Sequence, residues 1–187
     1  TVPAIKHMRW AAFLRVGGPG EAAAVLKGLK LDNDTIYRVK TLVEWVKCPL
    51  AADKIAVVEN GGQAAENDRE TAEKIILRRA MSCMEPQLFD DLLTLKNCLS
   101  GEMPGDSFGV PETKKELECI GRLTDEIRKN GDCVSLKTLA VTGNDVIQAG
   151  VKPGKEVGEV LSKLLDLVLE APEHNTKEEL LALVKSG

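Results

Sequence analysis

The sequence predicts an all-α protein, an irregular multi-helix array of roughly eight to ten helices with no sheet. Apolar residues recur at three- and four-residue spacing along most of the chain, and no segment alternates with period two. Aromatic residues make up only 3% of the 187 residues, whereas strands are enriched in aromatic and β-branched side chains. Gly, Pro, Asp and Asn punctuate the chain at helix-length intervals, and no fixed-period repeat accompanies them.

The first expected helix is Ile5–Leu14, with Ile5, Met8, Ala12 and Phe13 near helical spacing. Arg15–Gly20 is a breaker cluster, and a second helix starts at Pro19 or Gly20 and runs to about Leu29. Leu31-Asp32-Asn33-Asp34 caps a third helix to about Lys47, stopped by Pro49. Asp32 and Asp34 superficially resemble a carboxylate pair for a metal, but acceptors at a helix start are the simpler reading. A short helix over residues 50–58 and a turn at Asn60-Gly61-Gly62 follow.

Two longer helices are expected at Asn67–Met84 and Gln87–Leu99, then an exposed loop from Ser100 to Gly109. Pro111-Glu112 opens a charged helix to Asn130, with Leu117, Ile120, Leu123 and Ile127 on one face and Gly131 ending it. The stretch Leu139–Leu169 is the best punctuated: a short helix between glycine turns, a Pro-Gly helix start, then a strongly periodic helix. Asn175 and Glu178 form a capping-box pattern for a last helix, Thr176–Lys185.

Composition limits the chemistry. With so few aromatics, a base-stacking RNA module is disfavoured. The net charge is −4, but residues 1–50 carry 8 Lys+Arg against 4 Asp+Glu (net +4), leaving −8 for residues 51–187. Five cysteines, Cys48, Cys83, Cys98, Cys119 and Cys133, have no CxxC spacing and read as buried, reduced cytoplasmic thiols. His7 and His174 stand far apart, so neither a metal site nor a Cys–His nucleophile is indicated, and no catalytic residue is assigned. No run is long and apolar enough for a membrane span. Gly17-Gly18-Pro19-Gly20 lacks the following Lys-Ser/Thr of a phosphate loop.

Anion binding has better local support. Lys152-Pro153-Gly154-Lys155 stands at a helix start, where free backbone N–H groups and two lysines could hold a phosphate. A plain Pro-initiated helix with solvated lysines explains the same residues. Arg78 and Arg79, and then Arg122 and Arg128, are further basic candidates.

The motifs of the last third are Leu139-Ala-Val141-Thr-Gly143-Asn-Asp145-Val-Ile147, Gly150-Val-Lys-Pro153-Gly154-Lys-Glu-Val-Gly158, Leu161, Leu164-Leu165 and Asn175-Thr-Lys-Glu-Glu-Leu-Leu181. They resemble the C-terminal region of bacterial CCA-adding enzymes, of the tRNA nucleotidyltransferase and poly(A) polymerase family. Weaker similarity extends upstream through Met8-Arg9-Trp10-Ala-Ala-Phe-Leu14, Leu31–Val43 and Arg78–Leu93. Many relatives carry an HD-type His-Asp pair where this chain has Leu14-Arg15-Val16-Gly17-Gly18, so the resemblance implies a degenerate HD-like segment without its metal ligands.

The family's catalytic head and its Glu-Asp-x-x-Arg nucleotide-reading motif are not recognisable here, and Glu66-Asn67-Asp68-Arg69 does not match the latter. The chain opens on Thr1-Val-Pro without Met, as expected of a piece of a longer protein. The resemblance implies a degenerate HD-like segment over residues 1–60 and a helical body and tail over 61–187. The whole would be a non-catalytic, tRNA-binding part of an enzyme that adds CCA to tRNA 3′ ends. Its partners would be tRNA and an upstream catalytic head of the same polypeptide. No cofactor is expected in this chain, since Mg and CTP/ATP belong to the head. Lys152, Lys155 and the backbone at Gly154 are the expected phosphate contacts, with Arg78 and Arg79 behind them. The alternative is a helical scaffold or homodimerisation module with no RNA contact of its own.

Overall fold

The computed structural model describes residues 1–51, 66–100 and 110–186, with the side chains of residues 66–68 and 186 excepted. Among these residues it is all-helical, without a strand. The expected helix at 50–58, the turn at Asn60–Gly62 and the loop after Ser100 fall largely outside the described residues.

The first three helices are α1 (Lys6–Leu14), α2 (Pro19–Gly28) and α3 (Asn33–Val46). The helix α1 buries Met8 and Ala11, while Phe13, expected on the apolar face, is exposed. Pro19 opens α2 in its first turn, and Gly18 before it adopts φ 87°, a conformation that suits only glycine. Asp32 caps α3: its carboxylate accepts from the Thr35 N–H at 2.7 Å and pairs with Lys6 at 3.1 Å. Asp34 instead pairs with Arg38 one turn on. Both carboxylates of the apparent metal pair therefore have helix-start roles.

The helices α4 (Glu66–Ser82), α5 (Pro86–Leu99) and α6 (Lys114–Asn130) complete the body. The charged helix α6 begins two residues later than the sequence suggests. Thr113 is its N-cap and forms a capping box with Glu116, and Gly131 ends it at φ 72°. Glu112 is thereby freed from the helix and turns inward. Its carboxylate lies 2.8 Å from the Lys96 ammonium, and both side chains are fully buried. Lys96 also donates to the carbonyls of Val46 and Cys48, and Glu112 accepts from the Leu50 N–H at 2.6 Å. One buried lysine thus satisfies carbonyls left open where α3 ends.

One continuous buried cluster runs from Met8 to Ile127 and includes Val39, Leu42, Leu77, Leu88, Phe89, Leu92 and Leu123. It holds residues from both sides of residue 60. The break in burial comes after Ile127, where a smaller cluster of Cys133, Leu139, Val141, Leu164, Val168 and Leu180 takes over. This tail contains α7 (Gly143–Gln148), α8 (Lys155–Glu170), a 3-10 turn (Pro172–His174) and α9 (Lys177–Ser186).

Candidate nucleic-acid interface

The tail owes its shape to local hydrogen bonds that match its sequence motifs. Thr142 and Asp145 form a reciprocal capping box at the start of α7. Lys177 pairs with the free oxygen of Asp145 at 2.6 Å and brings α9 against α7. The Lys177 ammonium, then the Thr142 hydroxyl and N–H, hold the Asp145 carboxyl well below the usual carboxylate range. A Cβ on Gly143 would lie 3.4 Å from Val157, so the motif glycine permits close packing of α7 on α8. Gly150 ends the short helix with φ 111°.

Asn175 departs from its expected role. It does not cap the last helix; its side chain accepts from the Ala140 N–H at 2.8 Å and donates to the Thr138 carbonyl at 3.1 Å. Thr176 supplies the cap, its hydroxyl accepting from the Glu179 N–H at 3.4 Å. An amide can satisfy both a donor and an acceptor of an irregular segment, which a hydroxyl cap cannot do at the same span.

At the expected phosphate site, Pro153 lies ahead of the helix rather than in its first turn. Gly154 is the N-cap of α8, at φ 129° and ψ −145°, and no side chain caps that start. The first N–H groups of α8 have no side-chain acceptor, as at the starts of α1, α2 and α5, whereas Asp32, Thr113 and Thr142 cap α3, α6 and α7. Lys152, Gly154 and Lys155 are all exposed. Lys155 pairs loosely with Glu159 at 3.2 Å, its side chain 92% exposed, and Glu156 also stands in the first turn. Lys152 makes no ion pair among the described residues.

The other basic candidates sit elsewhere and have carboxylate partners. Arg78 is buried, donates to Asp132 at 2.7 Å and to the Leu169 carbonyl at 3.3 Å, and joins α4 to the start of the tail and to the last turn of α8. Arg79 pairs with Glu170 on the surface. Arg122 faces Glu70 and Glu126, and Arg128 pairs with Asp90 at 2.7 Å. Arg78 and Arg79 meet the C-terminal end of α8, whereas Lys152 and Lys155 flank its N-terminal end. At 1.5 Å per residue these ends are roughly 20 Å apart. The structure therefore does not gather the expected contacts into one patch.

Gly158 adds a residue that the motif contains but that no role explains. It lies one turn after Gly154, on the exposed side of α8, and a Cβ there would meet nothing within 4 Å. Internal packing gives no reason for a glycine in that helix, where it costs about 1 kcal/mol relative to alanine.

Among the described residues no helix is long and apolar enough to cross a membrane. The family model described as tRNA nucleotidyltransferase domain 2 matches residues 116–184. The match runs from the first turn of α6 into α9 and supports the tRNA nucleotidyltransferase family for this part of the chain. Neither the curated proteins nor the solved structures contain a match to the chain.

Proposed function

We propose that this chain is the helical, non-catalytic part of a tRNA nucleotidyltransferase that adds CCA to tRNA 3′ ends, and that it holds the tRNA by its phosphates at the start of α8. One observation carries the reading. Inside the family-matched span lies a helix start with no side-chain cap, flanked by exposed Lys152 and Lys155. Such a start presents backbone N–H groups and a positive dipole end to an anion, and two ammonium groups add to both.

Gly158 supports the same reading. A bare turn beside the N–H groups lets a sugar–phosphate backbone approach without meeting a side chain. Contacts of this kind read charge and shape rather than sequence, which suits a protein that serves every tRNA. The proposal places an upstream catalytic head in the same polypeptide, and Mg and CTP/ATP with that head. It also implies a cytoplasmic setting, in keeping with five unpaired cysteines, although of these only Cys133 is buried as expected and Cys83 is exposed.

The test is tRNA affinity as a function of salt for Lys152→Ala/Lys155→Ala. Loss of two phosphate contacts lowers affinity and flattens the log–log salt slope by roughly one unit per contact. An unchanged affinity and slope refute the site.

A scaffold or homodimer reading is favoured by a different feature. Leu167 and Leu183, each 47% exposed, line an apolar groove between α8 and α9 that is edged by Glu170 and Glu179. Light scattering distinguishes the readings: a stable dimer without tRNA affinity favours the scaffold.

A further inference from the structure

The outward face of α1 is unusual for this chain. Six aromatic residues occur in the whole sequence, and two of them, Trp10 and Phe13, stand together on this one surface. Their rings meet edge to face, with centroids 6.3 Å apart and planes at 72°. Phe13 is 75% exposed, while Trp10 is half-buried and packs its inner side on the body core.

Lys6 and Arg9 border the same shallow facet. The four residues fall at positions i, i+3, i+4 and i+7, one stripe of the helix, opposite the buried Met8 and Ala11. Lys6 is paired with Asp32. Arg9 bonds only a carbonyl, that of Pro3, at 3.3 Å, so its charge faces solvent without a carboxylate partner among the described residues.

We propose that this facet is a second RNA contact, one that takes an unpaired base. The Phe13 ring stacks on the base, Trp10 backs the ring, and Arg9 holds the adjoining phosphate. Aromatic faces beside cations are the usual means of gripping single-stranded nucleic acid, because every base has a π-face and every nucleotide a charge. The surrounding segment is the basic one, net +4 over residues 1–50, which matches a polyanion better than an uncharged protein face. The aromatic content of the whole chain argues against a stacking module, but placement outweighs content here. The contact rests on the tRNA reading for its biological partner, yet uses residues far in sequence from α8.

The experiment uses Trp45→Phe protein, in which Trp10 is the sole tryptophan and reports on the facet. Titration with a short single-stranded oligoadenylate quenches its fluorescence saturably, and an RNA hairpin without unpaired ends does so more weakly. Phe13→Ala, which leaves the core untouched, lowers oligoadenylate affinity roughly five-fold or more, and Arg9→Gln lowers it and reduces its salt dependence. Absence of quenching, or binding indifferent to Phe13→Ala, overturns the facet assignment while leaving a salt-sensitive tRNA site at α8 intact. Quenching by oligoadenylate with no tRNA effect of the lysine pair has the reverse meaning. A dimer seen by light scattering and abolished by Phe13→Ala also overturns it, by assigning the face to a protein.

Discussion

The ammonium of Lys177 lies 2.6 Å from a carboxylate oxygen of Asp145, so the first turn of α9 is pinned to the first turn of α7. The other oxygen of the same carboxylate accepts from the N–H and hydroxyl of Thr142 at 2.8 and 2.7 Å. One side chain thus starts a helix and fixes the next one against it.

Acid sensitivity of the tail follows. Asp145 is held ionised by Lys177 and Thr142, so its folded-state pKa is depressed. Asp32 is depressed as well, by the Thr35 N–H, the Thr35 hydroxyl and Lys6. A depressed carboxyl contributes stability that is complete above its unfolded value, about 3.9, and is lost as pH falls toward the folded value. Asp145→Asn should lower the urea midpoint near neutrality and make it less dependent on pH below about 4. Parallel acid limbs for variant and parent would refute the assignment.

The Lys96–Glu112 pair predicts an asymmetry between single and double substitutions. Lys96→Met strands the Glu112 carboxylate, which is buried, and leaves the carbonyls of Val46 and Cys48 without this donor. Breaking one side of a buried pair costs about 3–5 kcal/mol. Lys96→Met/Glu112→Leu should recover part of that loss, because no isolated charge then remains. Chemical denaturation of the three proteins measures it, and additive losses would show that the pair does not act as a unit.

Arg78 and Arg79 are adjacent in sequence and should behave oppositely. Arg78→Leu leaves the part-buried Asp132 without its partner and frees the Leu169 carbonyl, so the tail should loosen from α4. A loss of about 3 kcal/mol is expected. Arg79→Ala removes an exposed pair with Glu170 and should change stability by less than about 1 kcal/mol. Hydrogen exchange across α8 and α9 is the readout. Protection unaffected by Arg78→Leu would contradict the bridging role.

Gly158→Ala should move stability and tRNA affinity in opposite directions. The site has room for a methyl group and ordinary helical geometry, so alanine should add about 0.5–1 kcal/mol of stability. The same methyl group would stand where the proposed phosphate contact approaches, and tRNA affinity should fall. Gly154→Ala offers no such separation, since φ 129° is strained for any L side chain. A rise in melting temperature with unaltered tRNA affinity would leave Gly158 without a binding role.

Part of the candidate site is legible in the chain of residues alone. The Lys152–Lys155 segment does stand exposed at a helix start, because Gly and Pro announce such boundaries by local geometry. Gly131 and the Asp32 cap are readable for the same reason. Arg78 is not, because a guanidinium looks identical in sequence whether it meets water or Asp132, 54 residues away. Asn175 matches a capping pattern, yet its amide reaches Ala140 across 35 residues. Phe13 combines apolar spacing with a solvent-facing position, since periodicity gives the angle between residues but not which side the core takes.

The all-helical class, most helix ends and the motifs that carry the family resemblance are properties of the sequence alone. All three depend on interactions within a few residues: backbone propensity, capping and turn geometry. Packing of the whole chain settles which charges are buried in pairs, as in Lys96–Glu112, and which face outward, as Lys152 and Arg9 do. Those outcomes depend on desolvation and on partners remote in the chain, which local pattern does not encode. They leave the start of α8 and the outer face of α1 as the two surfaces proposed to meet RNA.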